Sequence, residues 1–173
     1  MNAFFLLCPF LIIRFVLLAV LNGKAIRRAA YFAPLQGGER IAYCIYQISN
    51  IAVFLSLFFL TVKIDFTWFF YLGLGCYLVG LCLCTAAVVS FSMPDENGLN
   101  TNGIYRFSRN PMYVAYFVCF TGMVCLTRSW ILLGLTLVFQ ISGHWIILSE
   151  ERWCAEKFGD AYEQYRRRVR RYI

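Results

Sequence analysis

The sequence predicts an all-α, polytopic integral membrane protein with about five transmembrane helices and a C-terminal interfacial helix. Two observations carry this. Hydrophobic residues make up 61% of the chain and charged ones only 14%. The apolar residues also fall into several runs near 20 residues, the length a helix needs to cross about 30 Å of hydrocarbon. A soluble domain of 173 residues does not carry several such runs. The chain reads as one domain over residues 1–173, with three spans in 1–91, then a polar loop, a helical hairpin and a basic tail in 92–173.

Ala3 to Leu21 is the first span, near the minimum crossing length, and Arg14 within it must snorkel or face the bundle interior. The absence of a basic segment before it marks a retained span rather than a cleaved leader. Asn22 to Arg40 reads as a loop, with Lys24, Arg27 and Arg28, broken by Pro34 and Gly37-Gly38. Ala42 to Val62 is the second span, Lys63-Ile64-Asp65 a tight connection, and Phe66 to Phe91 a third span long enough to tilt. Its Gly73, Gly75 and Gly80 admit a neighbouring helix or a ligand closely. Ser92 to Asn102 is a polar loop. Met112 to Leu126, barely spanning, and Trp130 to Leu148 form a hairpin around Thr127-Arg128-Ser129. From Ser149 the chain reads as a basic amphipathic helix lying at the interface.

The eight cysteines make no Cys-x-x-Cys pair and seven lie in apolar segments, which suits buried thiols rather than disulfides or a metal site. The net charge of +7 suits an anionic membrane leaflet better than nucleic acid. With the N-terminus outside, thirteen basic residues of the connections and tail fall on the cytoplasmic side against Lys63 and Arg128 on the other. The positive-inside rule therefore places the C-terminus in the cytoplasm.

The chemistry-bearing stretch is Asn102 to Tyr113. Pro111 suits the first turn of a helix and Asn110 its N-cap. Arg106 and Arg109 would lie one helical turn apart, close enough to act on one anionic group. The same residues also suit ordinary flanking charge with interfacial tyrosines, and composition leaves both readings open. Further on, Gln140, His144 and Glu151 fall within about 40° of one another on a helix, a polar stripe that must face protein or water. On an unbroken helix Glu151 would project from this stripe into a bundle-facing cavity, whereas Glu150, about 100° away, would pair with a loop arginine.

Three pieces together resemble the integral membrane methyltransferases that include isoprenylcysteine carboxyl methyltransferase and the phospholipid N-methyltransferases. They are Gly103-Ile104-Tyr105-Arg106 with Arg109-Asn110-Pro111-Met112-Tyr113, then the Glu150-Glu151 pair, then Phe158-Gly159 followed by Tyr162, Tyr165 and Arg168-Val169. Gly73 and Gly75 are similar to a glycine pair linked to cofactor binding in the phospholipid enzymes. The resemblance implies S-adenosylmethionine as cofactor, held by Gly103, Tyr105, Asn110, Pro111, Tyr113, Glu150 and Glu151, with Arg106 or Arg109 holding the acceptor. His144, from the polar stripe, is a further cofactor-binding candidate, and a packing role suits it equally. Where the family often has His, this chain has Asn110, which cannot titrate and so cannot serve as a base. The implied acceptor is lipophilic, most simply the carboxylate of an isoprenylcysteine, which needs a cation to hold it and no base. A phospholipid amine would have to lose a proton first, with Glu150 or Glu151 as candidates. Other readings are a sterol-type reductase using a nicotinamide cofactor, whose larger set of spans is absent here, and a non-catalytic lipid-binding protein.

Overall fold

In the computed structural model, residues 1–29 and 31–173 are described, Lys24 by its backbone alone. Five long helices form the bundle. Helix α1 runs over Ala3–Leu21, beginning in a 3-10 turn capped by Asn2 and widening into a π turn over Ile12–Leu17. Helix α3 is Glu39–Phe59, α4 Trp68–Ser92, α5 Pro111–Thr127 and α6 Trp130–Phe158. Helix α2, Gly23–Ala29, follows α1, and α7, Asp160–Arg168, follows α6. Four of the five long helices have the length and composition to cross a membrane, and α5 is a shorter apolar helix.

The ends of the bundle establish the order of passes. At one end Ala3 N–H donates to the Leu60 carbonyl at 2.9 Å, Val62 N–H to Met1 at 2.9 Å, and Lys63 N–H to Leu126 at 2.8 Å. Arg128 pairs with Asp65 at 2.5 Å there. At the opposite end Asn22 Nδ2 donates to the Ser92 carbonyl at 2.9 Å and Arg28 to the Phe91 carbonyl at 2.5 Å. Arg152 reaches both Glu39 oxygens there, at 2.7 and 2.8 Å. The five helices therefore pass alternately, and the motif loop, the α1–α3 connection and the tail share an end.

Three boundaries differ from the sequence reading. The second span stops at Phe59, because Leu60–Val62 leave the helix to pair in extended form with the N-terminus. Hydropathy cannot distinguish an apolar helix end from an apolar extended segment. The stretch from Asn22 to Arg40 holds α2, with Ala25 buried beneath it. The tail is not one interfacial helix from Ser149, since α6 continues unbroken to Phe158. It ends at Gly159, whose φ of +52° a glycine adopts freely and which opens the turn into α7. The α5–α6 turn falls where expected, with Arg128 at φ +51° and Ser129 Oγ accepting the Leu132 N–H at 3.2 Å.

Helices α4 and α5 pack most intimately. A methyl group at Gly80 would meet the Cys119 backbone at 2.5 Å, and one at Gly122 would meet the Tyr77 backbone. These glycines bring the two helices into backbone contact, the usual use of small residues between membrane helices. Helix α3 packs along α6. The core runs from Leu7 and Phe10 of α1 through Val53 and Leu57 to Phe120, Met123 and Phe139. Gly80→Ala should therefore lower stability by about 1–3 kcal/mol by forcing these backbones apart. Gly75→Ala, with nothing within 4 Å of its new methyl, should leave stability unchanged or slightly raised. Thermal unfolding of the two variants in detergent checks this.

Candidate functional site

The motif loop is built from both ends. Gly103, at φ +57°, opens a 3-10 turn over Gly103–Arg106 so close to α4 that a side chain there would collide with the Ser90 hydroxyl. Tyr105 is buried, and burial pushes its phenol above the usual range, so it stays neutral. Its carbonyl accepts the Tyr165 hydroxyl at 2.7 Å. Tyr162, Tyr165 and Leu99 make a small second core that docks α7 under the loop.

Beyond the turn lies a buried ion cluster centred on Glu151. Arg109 reaches it at 3.0 Å, both side chains nearly closed to solvent. Arg171 donates to both carboxylate oxygens at 2.9 to 3.2 Å, hydrogen bonds that raise its own pKa. Asn110 Nδ2 donates to Glu151 at 3.2 Å and to the Arg171 carbonyl at 3.2 Å. The backbone of residues 170–171 lies across the loop, accepting from the Arg109 N–H at 2.9 Å and from the Ser108 hydroxyl at 3.3 Å. Tyr172 completes the strap by meeting His144 Nδ1 at 2.6 Å.

A second group of side chains, the inner chamber, gathers on the other side of α5's first turn. Glu150 accepts the Tyr113 hydroxyl at 3.2 Å, its one hydrogen bond among the described residues. Tyr46 lies 6.5 Å and Tyr116 6.3 Å from the Tyr113 ring, centroid to centroid. Gly143 leaves room beneath Tyr46 and Tyr113, which stand 3.5 and 3.6 Å from where a side chain would begin. Arg14 enters from α1, its guanidinium 3.7 Å from the Met112 sulfur and 5.8 Å from the centre of the Tyr116 ring.

The expected residues thus divide. Gly103, Tyr105, Asn110, Pro111, Tyr113, Glu150 and Glu151 converge on the motif end, and His144 joins them through the strap. Arg106 and Arg109 do not share one anionic group: Arg106 stands exposed, whereas Arg109 is committed to Glu151 and the Arg166 carbonyl. Asn110 holds the N-cap position of α5, but its side chain makes no cap and turns to Glu151 instead. The two glutamates exchange their expected roles without any kink in α6. Glu151 pairs with the arginines and Glu150 meets Tyr113, because His144 and Glu151 of the stripe are taken up by Tyr172 and Arg171 of the C-terminal strap. Gly73 and Gly75 are far from the site: Gly73 packs against Leu126 at the opposite end of the bundle and Gly75 is exposed. Tyr46, Tyr116 and Arg171 were missed. Tyr116 follows Tyr113 by one helical turn and was findable, but nothing in the sequence pairs residue 171 with residue 151.

The groups present suit a ligand end carrying an ammonium, a sulfonium and a carboxylate. Glu150 has acceptor capacity to spare, tyrosine faces attract a sulfonium, and the buried Arg109 Nε has no partner. Between α5 and α6 there is also an apolar groove of about 330 Å³, lined by Val114, Phe117, Gln140, Ile141, Tyr172 and Ile173.

The sequence profile of phospholipid methyltransferases matches residues 55–161, leaving α1, α2, most of α3, most of α7 and the C-terminal strap outside the match. The Protein-S-isoprenylcysteine O-methyltransferase of Schizosaccharomyces pombe is 32% identical over 105 residues, covering 57% of this chain and 44% of that protein. The match thus spans less than half the length of that relative. No solved structure matches.

Removing one member of a buried ion cluster strands the others. Glu151→Ala should cost about 3–5 kcal/mol and release the strap, read as a lowered melting temperature and as faster proteolysis within residues 166–171.

Proposed function

We propose that this chain, which belongs to the phospholipid methyltransferase family, uses S-adenosylmethionine to methylate the carboxylate of a lipophilic acceptor of the isoprenylcysteine type. The observation that carries the reading is the inner chamber, where a carboxylate with one hydrogen bond stands among tyrosine faces directly behind the motif loop. S-adenosylmethionine, when bound, supplies an already activated methyl group. The chain's own part is therefore to orient the partners and exclude water. Glu150 holds the ammonium, the faces of Tyr46, Tyr113 and Tyr116 line the sulfonium, and the free Nε of Arg109 is available to a carboxylate. Glu151 acts at one remove, holding Arg109, Asn110 and the strap in place as a positioning residue.

A carboxylate acceptor is favoured by the name of the Schizosaccharomyces pombe relative and needs no base in this chamber. The second reading, N-methylation of a phospholipid amine, is favoured by the description of the matching family. It would require a proton acceptor, for which Glu150 is the candidate. Methyl transfer from radiolabelled S-adenosylmethionine to an S-farnesylated N-acetylcysteine and to phosphatidylethanolamine separates the two. The first reading expects label in the former alone.

The chain sits in the membrane with its N-terminus outside and the motif end in the cytoplasm, supported by the gathering of basic residues at that end. Reporters fused at Ile173 and within the Lys63 loop should report cytoplasmic and outside, respectively; the reverse pattern would overturn the orientation.

Loss of a charge-assisted hydrogen bond costs about 1.5–3 kcal/mol, or roughly 10- to 150-fold in affinity. Glu150→Gln should weaken S-adenosylmethionine binding by that factor in calorimetry on detergent-solubilised protein while leaving it folded. Unchanged affinity would remove Glu150 from the cofactor site.

A further inference from the structure

We infer that Arg14 holds the acceptor's carboxylate, opposite Glu150 across the tyrosines of the inner chamber; this deepens the methyltransferase reading and rests on it. Arg14 is the one charged residue in the first span. It lies seven residues before the end of α1, about 10 Å below it along the axis. A guanidinium at that depth either snorkels to the interface or is received by protein or a polar ligand, and the contacts to Met112 and Tyr116 turn this one into the bundle.

What receives it here is meagre. A thioether is a weak acceptor and a ring face at 5.8 Å a soft partner, yet a guanidinium carries five donors. Among the described residues no carboxylate lies within ion-pair distance of it. The backbone that presents it is also irregular. Arg14 sits inside the π turn Ile12–Leu17, a local widening of the kind frequent at functional sites.

Its place relative to the cofactor residues gives the cation a purpose. In the first turn of helix α5, Met112 and Tyr113 point about 100° apart: Met112 meets Arg14, and Tyr113 meets Glu150. Arg14 and Glu150 lie on either side of one ring pair: Arg14 stands 5.8 Å from the centre of the Tyr116 ring, which lies 6.3 Å from the Tyr113 ring that carries the contact to Glu150. A cationic methyl donor at Glu150 and an anionic acceptor at Arg14 would be drawn in from opposite sides, with the Tyr113 and Tyr116 rings lining the space where they meet. One lone pair of the acceptor's carboxylate oxygen forms the new O–C bond as the methyl–sulfur bond breaks and leaves its pair on sulfur. No proton moves. The product ester is neutral, so it loses its attraction to Arg14 and leaves more readily than the acid binds. A protonated amine would be repelled from the same place.

An oxyanion at Arg14 could belong to a carboxylate or to a lipid phosphate, and the proposal commits to the carboxylate. The test uses the purified chain in detergent and three probes without cofactor: S-farnesylated N-acetylcysteine, its neutral carboxamide, and phosphatidylethanolamine. Wild-type protein should prefer the acid to the carboxamide. Arg14→Gln should bind the acid about 10- to 150-fold more weakly and the carboxamide equally well, with S-adenosylmethionine affinity unchanged. In turnover the loss should fall on KM for the acid, and Arg14→Lys should restore part of it. Should Arg14→Gln fail to fold, Arg14→Lys carries the test alone, with an intermediate loss confined to the acid. Equal loss of acid and carboxamide would assign Arg14 to packing. Undiminished acid binding would overturn the proposal, as would an effect confined to phosphatidylethanolamine. Failure of wild-type protein to bind S-adenosylmethionine would instead sink the methyltransferase reading, a separate result.

Discussion

The Glu151 carboxylate, taken out of water between two arginines and an asparagine amide, is the interaction on which the rest of the motif end depends. Desolvating three charges is costly, and their attraction offsets that cost only when the geometry is well formed. Here it is: Arg171 contacts both oxygens, and Arg109 and Asn110 approach one of them. What the cluster supplies is registration. It ties the motif loop, the last long helix and the C-terminal strap to one point, although they lie 20 to 62 residues apart in sequence. Once Asn110 is fixed, the first turn of α5 is fixed, and Tyr113 is set against Glu150.

The architecture was largely legible in the sequence because membrane insertion writes itself in length and polarity. An apolar run near 20 residues has few alternatives to a helix, and Pro111 and Ser129 mark starts that local chemistry dictates. What could not be read were decisions made by distant parts of the chain. Leu60–Val62 are as apolar as the helix before them, and only the N-terminal residues beside them turn them into an extended pair. The angular argument for α6 was sound, since the helix is unbroken through Ser149. It failed at the last step because a stripe of polar residues shows a need for partners without naming them. The partner proved to be the strap, so Glu151 took the arginines and Glu150 kept the interior.

The two neighbouring glutamates illustrate how a single residue step along a helix changes what a carboxylate meets. Successive residues on a helix point about 100° apart. Glu151 is saturated by donors and holds a shape; Glu150 retains acceptor capacity among aromatic rings. The tyrosines are well chosen for such a chamber. Each ring offers an apolar body and a polarisable face, and Tyr113 directs its hydroxyl to Glu150.

Helix α6 has a mechanical consequence. At 29 residues it is about 43 Å long, nearly half as long again as a hydrocarbon core of about 30 Å. Being continuous, it cannot absorb the excess by bending at the membrane surface. The residues around Ser149 therefore sit near the boundary between hydrocarbon and headgroups, at a depth governed by tilt and by the thickness of the surrounding lipid. A thicker bilayer draws the glutamate pair toward hydrocarbon, and a thinner one lifts it toward water. Lipid chain length thus becomes a dial on the dielectric around these carboxylates, and with it on the strength of every polar contact they make.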